Sequence, residues 1–242
     1  MQKVFSKQQL EINMLPHRNW ILCIAAAMAF VLMAVSPTHA GPFDKFKKAI
    51  PGMGGDDAPA LSAADALDQQ AELMEQVTKS LTNLAAAQSL MAEALGLKEE
   101  AAIASQNAAD LEAGGLTGSD DMEKRLASSD SVTDAIEAKM AEGEQLSDES
   151  KKIFASSLPP YGIGSVGMVT SAKSAATTAS NLTSSADPQI LAKMDELKSI
   201  VSFGKAAPSI ISGFKDTTAS IIKFAQANNI DTSELEADIA DW

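Results

Sequence analysis

From residue 62 almost to the C terminus, apolar side chains return at helical intervals. Leu67, Met74, Leu81 and Leu95 form one series spaced by sevens, interrupted by polar Gln88, and Val77, Leu84 and Met91 form a second. Two such series over four heptads predict one helix of about 35 residues, roughly 52 Å long at 1.5 Å per residue. Ser62 with Asp65 three positions on is a capping-box start. Gly96 bends or ends this helix, a further helical stretch follows over 97–113, and Gly114-Gly115-Leu116-Thr117-Gly118 breaks the chain.

Asp120 with Glu123 opens the next helix, whose seam runs Met122, Leu126, Ser129, Thr133, Ile136 and Met140 and ends near Gly143. Ser147, followed by Asp148 and Glu149, caps another. That helix is expected to stop before Pro159-Pro160, because neither proline has an N–H and each ring crowds the preceding turn. Ala, Ser, Thr and Gly dominate 165–181, a composition that lets helices approach closely. Asp187-Pro188 is an N-cap with proline at the first helical position, and Ile190, Met194, Leu197 and Val201 trace one face. Pro208 is expected to kink or divide this helix. Ile211, Phe214, Thr218, Ile221 and Ala225 continue it to an Asn228-Asn229 C-cap, and Asp231 with Glu234 caps a last short helix presenting Leu235, Ile239 and Trp242.

No run of alternating β-branched and polar residues with hairpin turns occurs. The fold expected is therefore all-α: an elongated bundle of about six helices over 61–242, preceded by a disordered lead-in. A domain of this size buries about 70% of its unfolded surface. With 36 alanines after residue 40, much of that core is small side chains and close backbones.

The stretch before the bundle has another character. Residues 20–35 are uncharged and apolar, preceded by Arg18 and followed by Ser36-Pro37-Thr38-His39-Ala40. A basic flank, a short apolar core, a proline and small residues at −3 and −1 make a signal-peptidase substrate, so 1–40 is expected to be a cleaved signal peptide. The run is shorter than the roughly 20 residues of a spanning helix. Starts at Met1 and Met14 both remain open. Residues 41–60 read as a flexible Gly/Pro-rich lead-in. Within it Phe43, Lys45, Phe46, Lys47 and Lys48 form a basic-amphipathic patch suited to peripheral membrane contact or to no contact at all.

Composition then removes whole classes of chemistry. The chain has 19 basic and 32 acidic residues, a formal charge of −13. Cleavage after Ala40 would leave 16 against 31 and would remove Cys23, His17 and His39, the only cysteine and histidines. Such a chain has no disulfide, thiolate or imidazole, which excludes Cys-His and Ser-His-Asp catalysis and zinc fingers. An acidic chain whose one arginine after the leader is Arg125 offers nothing to nucleic acid.

Several local patterns have a bland explanation. Ser-x-x-Lys occurs at Ser202/Lys205, Ser212/Lys215 and Ser220/Lys223, but the companion elements of a serine acyl-enzyme are missing. The acidic pairs Glu72/Glu75, Glu99/Glu100 and Asp120/Asp121 lie in no calcium loop. The seven methionines after residue 40 are scattered rather than clustered, as core fillers are. Gly162-Ile163-Gly164-Ser165-Val166-Gly167 has dinucleotide-loop spacing without the strand that loop requires. No cofactor and no metal site is expected.

Two features remain. Pro159, Pro160 and Tyr161, with Gly162, Gly164 and Gly167, suggest a hinge or a tight helix corner. Phe203, Phe214 and Phe224 could line an apolar cavity between helices, the place where bundles hold ligands. Together these support an exported, periplasmic or secreted, non-enzymatic bundle that binds or scaffolds an apolar ligand or an envelope protein. The alternative is a membrane-active protein that inserts a helix or hairpin into a bilayer. An enzyme working with carboxylates alone ranks below both.

Overall fold

The computed structural model describes residues 62–185 and 187–240, and within them all regular structure is helical. The leader, the lead-in with Phe43, Lys45, Phe46, Lys47 and Lys48, and Trp242 lie outside the described residues. Seven helices follow in order: α1 (Ala63–Ala94), α2 (Lys98–Gly114), α3 (Ser119–Ala141), α4 (Asp148–Ser184), α5 (Pro188–Ala192), α6 (Lys198–Ala227) and α7 (Ser233–Asp238).

Three starts follow the expected caps, whereas α3 starts after Gly118 rather than Asp120 and α7 after Thr232 rather than Asp231, neither with a side-chain cap bond. Ser62 Oγ accepts from the Asp65 amide while the Asp65 carboxylate accepts from the Ser62 amide, a reciprocal capping box on α1. Ser147 caps α4 through the Ser150 amide, and Asp187 caps α5 through the Gln189 amide. Gly96, at φ 77°, ends α1 rather than bending it. Asn228 is the C-cap of α6, and Asn229 takes the left-handed turn at φ 59°.

Three expectations need correction. The helix from Ser147 does not stop before Pro159-Pro160: α4 runs through both prolines for 37 residues. The prolines deprive the Ala155 and Ser156 carbonyls of helical donors, but Ala155, Ser156 and Pro159 are exposed, so water can reach that side. On the other side Phe154, Ser157, Leu158 and Tyr161 are buried and hold the helix together. Pro208, also exposed, does not divide α6, which continues from Lys198 to Ala227. The helix starting at Asp187-Pro188 is the one that fails. It ends at Ala192, and a turn over 193–197 separates it from α6.

α1 is the central rod. It packs on α2, α3 and α4, and along its second half Leu81, Leu84, Ala85, Ala87, Met91 and Ala92 are all buried. α4 lies antiparallel to it: Gln69 bonds Thr178 near one end, and Gly164 meets Leu84 toward the other. α6 is antiparallel to α4 in turn, with Phe154 on Phe224, Tyr161 on Thr218 and Ala175 on Gly204. α2 folds back along α1 and is tied to α3 by Asn107–Ser128 and Asp110–Arg125.

Candidate functional site

The glycines of the 162–167 stretch sit at close approaches between helices. A Cβ on Gly164 would lie 2.7 Å from Leu84 Cγ and 2.9 Å from the Leu84 nitrogen and the Ser80 carbonyl oxygen. One on Gly167 would overlap Ser80 Oγ, and one on Gly162 would come within 2.8 Å of an Asp238 carboxylate oxygen on α7. Across the α4–α6 seam, a Cβ on Gly204 would collide with the Ala175 carbonyl oxygen and lie 2.7 Å from Ala179 Cβ. Pro159, Pro160 and Tyr161 belong to the same continuous helix, so the chain makes no corner there.

Tyr161 points into the bundle. Its hydroxyl pairs with Thr218 Oγ1 at 2.9 Å, and Thr218 in turn donates to the Phe214 carbonyl at 2.6 Å. Burial raises the phenol's pKa above its ordinary value, against a smaller opposing effect of the Thr218 bond.

The three phenylalanines do not converge. Phe203 is fully buried near the start of α6 and Phe224 is buried near its end, stacked at a tilt on Phe154 with ring centroids 5.3 Å apart. Phe214, between them, is half-buried. Twenty-one helical residues separate Phe203 from Phe224, about 31 Å of axis, so they cannot face one small cavity. Of the three, only Phe224 borders a cleft of about 240 Å³ at the end of α1.

That cleft lies where the end of α1 meets the loop before α4. Ala94, Leu95, Leu146 and Phe224 supply apolar walls, and Lys139, Glu144, Ser147 and Ser150 supply polar ones. Asn228, buried at the end of α6, holds the loop by accepting from the Leu146 amide at 2.8 Å and donating to the Phe224 carbonyl. Lys139 is already engaged by Glu142 and Glu144, whose hydrogen bonds raise its pKa. Asn228 was legible in the sequence as a C-cap. Its bond across 82 residues to Leu146 had no local signal.

The remaining candidates are surface features. Glu99 and Glu100 occupy the first turn of α2, and Asp120 and Asp121 that of α3, where carboxylates complement the helix dipole. Ser202, Ser212 and Ser220 and their lysines are all exposed along α6. No group of three or more His, Cys, Asp or Glu suited to a metal occurs among the described residues, and no described helix is long and apolar enough to cross a membrane. The chain matches no family model, no curated protein and no solved structure.

Proposed function

We propose that this chain is an exported, non-enzymatic bundle that acts as a binding or scaffold protein, and that it engages an envelope protein partner through its outer surface rather than an apolar molecule within. The observation that carries this reading is the closure of the interior. At Gly164 and Gly204 the helices meet so closely, backbone against backbone, that a single methyl group has no room. The cleft beside Phe224, about 240 Å³, falls below the roughly 300–1,000 Å³ of small-molecule sites.

Export itself is tested by the intact mass of the protein recovered from its native compartment, which should lack the first forty residues. Crosslinking in whole cells followed by mass spectrometry should recover an envelope protein joined to exposed lysines of the bundle. Native mass spectrometry that instead finds a lipid-like molecule bound stoichiometrically would sink the partner reading. Dye release from vesicles by the purified protein would favour the membrane-active alternative.

A further inference from the structure

Residues 143–147 join the end of α3 to α4 without regular structure, and Glu144, Gln145 and Leu146 form one side of the cleft beside Phe224. Opposite them Ala94, Leu95 and Phe224 are buried side chains, so the cleft offers an apolar wall at the surface. A cavity of about 150 Å³ lined by apolar residues already admits benzene. About 240 Å³ therefore admits one large side chain, although it is small for a whole ligand. The one lysine and the one carboxylate in the lining, Lys139 and Glu144, pair with each other at 3.1 Å. Their charges are spent on this contact, and an uncharged occupant is favoured.

The backbone beside the cleft is open. Asn228 takes the Leu146 N–H and the Met140 carbonyl takes that of Gly143, but the amides and carbonyls of Glu144 and Gln145 have no partner among the described residues. Both residues are exposed. An unpaired stretch of chain next to an apolar pocket suits an extended peptide, whose main chain supplies affinity while a side chain in the pocket supplies specificity.

We infer that the envelope protein partner is held here as an extended segment, with one large apolar side chain in the cleft and its main chain bonded to Glu144 and Gln145. Binding energy concentrates where an apolar anchor fills a pocket with polar contacts around it. Asn228 prepares the place. By bonding both the Leu146 N–H and the Phe224 carbonyl it fixes one side of the cleft against the other, so little has to be ordered on binding. The inference rests on the proposed partner-binding role and adds where the partner sits and by what chemistry it is recognised.

The test uses isotope-labelled protein recovered from its native compartment and two probes, N-acetyl-phenylalanine methylamide and its alanine counterpart, which share their peptide groups and differ in the side chain. Amide resonances of Leu95, Gly96, Gln145 and Leu146 should shift saturably with the phenylalanine probe and stay in place with the alanine one. Ser150→Leu fills the cleft from α4. The Ser150 side chain bonds only Ser147, and its amide keeps the helix cap, so the fold should survive. This variant should weaken probe binding by about tenfold or more, as should Ala94→Leu from the side of α1, with circular dichroism confirming that both keep their helices. In whole cells both should lose the crosslink to the envelope protein that the wild type captures. Absence of saturable shifts overturns the inference, as do shifts that ignore both cleft-filling variants or that appear equally with the alanine probe. Capture by Ser150→Leu equal to that of the wild type overturns it while leaving the binding role standing, whereas a wild type that captures no partner removes both. A dimer that Ser150→Leu dissociates would assign the cleft to a second copy of this chain and overturn it as well.

Discussion

Gln88 Nε2 lies 2.8 Å from Thr133 Oγ1 and 2.8 Å from Ser129 Oγ, and also donates to the Ser129 carbonyl at 2.9 Å. The polar residue that interrupts the heptads of α1 thus meets the two polar residues that interrupt the seam of α3. Gln88 is buried, so its amide depends on these partners. Gln88→Ala should cost about 1–3 kcal/mol by stranding them and opening a void. Replacing all three together, Gln88→Leu with Ser129→Ala and Thr133→Val, should recover most of the loss. Urea denaturation midpoints of the single and triple variants check this; equal losses in both would show that the polar contact is not what matters.

Two glycines inside helices should respond in opposite directions to alanine. Gly164→Ala forces a methyl against the backbone of α1 at Leu84 and Ser80, and overpacking of this kind costs about 1–3 kcal/mol. Gly213→Ala adds a methyl where nothing lies within 4 Å, and helix propensity should stabilise that variant by about 0.5–1 kcal/mol. Thermal unfolding of the pair measures both signs.

Pro159→Ala restores an N–H to the exposed side of α4. Proline in a helix interior is disfavoured by about 3 kcal/mol relative to alanine. If α4 tolerates its prolines only because inward packing outweighs them, the variant should be more stable than the wild type and equally helical. An unchanged or lower melting temperature would indicate that the proline serves the fold locally.

Tyr161 should make stability fall at alkaline pH. Burial raises its pKa above the unfolded value of about 10. A group raised on folding contributes stability that is complete below the unfolded pKa and is lost as pH rises toward the folded one. Tyr161→Phe should lose about 0.5–1.5 kcal/mol at pH 7, the worth of the Thr218 hydrogen bond, and should show a shallower decline above about pH 10 than the wild type. Denaturation at several pH values compares the slopes.

Asp130 has the same sign of shift in the acid range. Partial desolvation of an otherwise exposed side chain is the first cause of its raised pKa and the Asp134 carboxylate, one turn away, is the second, so the effect on stability is small. The native state therefore gains when Asp130 is protonated and is penalised once it ionises. Asp130→Asn should be more stable than the wild type at neutral pH, and the gap should close as the medium is acidified below the ordinary aspartate pKa of about 3.9. A gap that is constant with pH would assign the effect to packing.

Much of the architecture was written into local patterns. The capping box at Ser62, the caps at Ser147 and Asp187, the glycine after α1 and the asparagines after α6 act over a few residues, and the structure places each where its chemistry requires. The prolines misled for a corresponding reason. Their cost is local and visible, whereas the burial of Phe154, Leu158 and Tyr161 that outweighs it comes from α1 and α6, distant in sequence. The phenylalanines misled similarly, since helical spacing establishes a shared face but not a shared depth along a rod about 45 Å long.

What the amino-acid order determined alone was the helical class, most helix ends, the acidic balance and the loss of imidazole and thiol that cleavage at Ala40 would bring, because these follow from short-range sterics, capping and simple counting. Tertiary structure decided which interruptions pair, as Gln88 does with Thr133, and which glycines admit a neighbouring backbone, as Gly164 does for Leu84. Those outcomes depend on the register between rods, which is selected by the packing of whole faces at once and leaves no trace in any single stretch of chain.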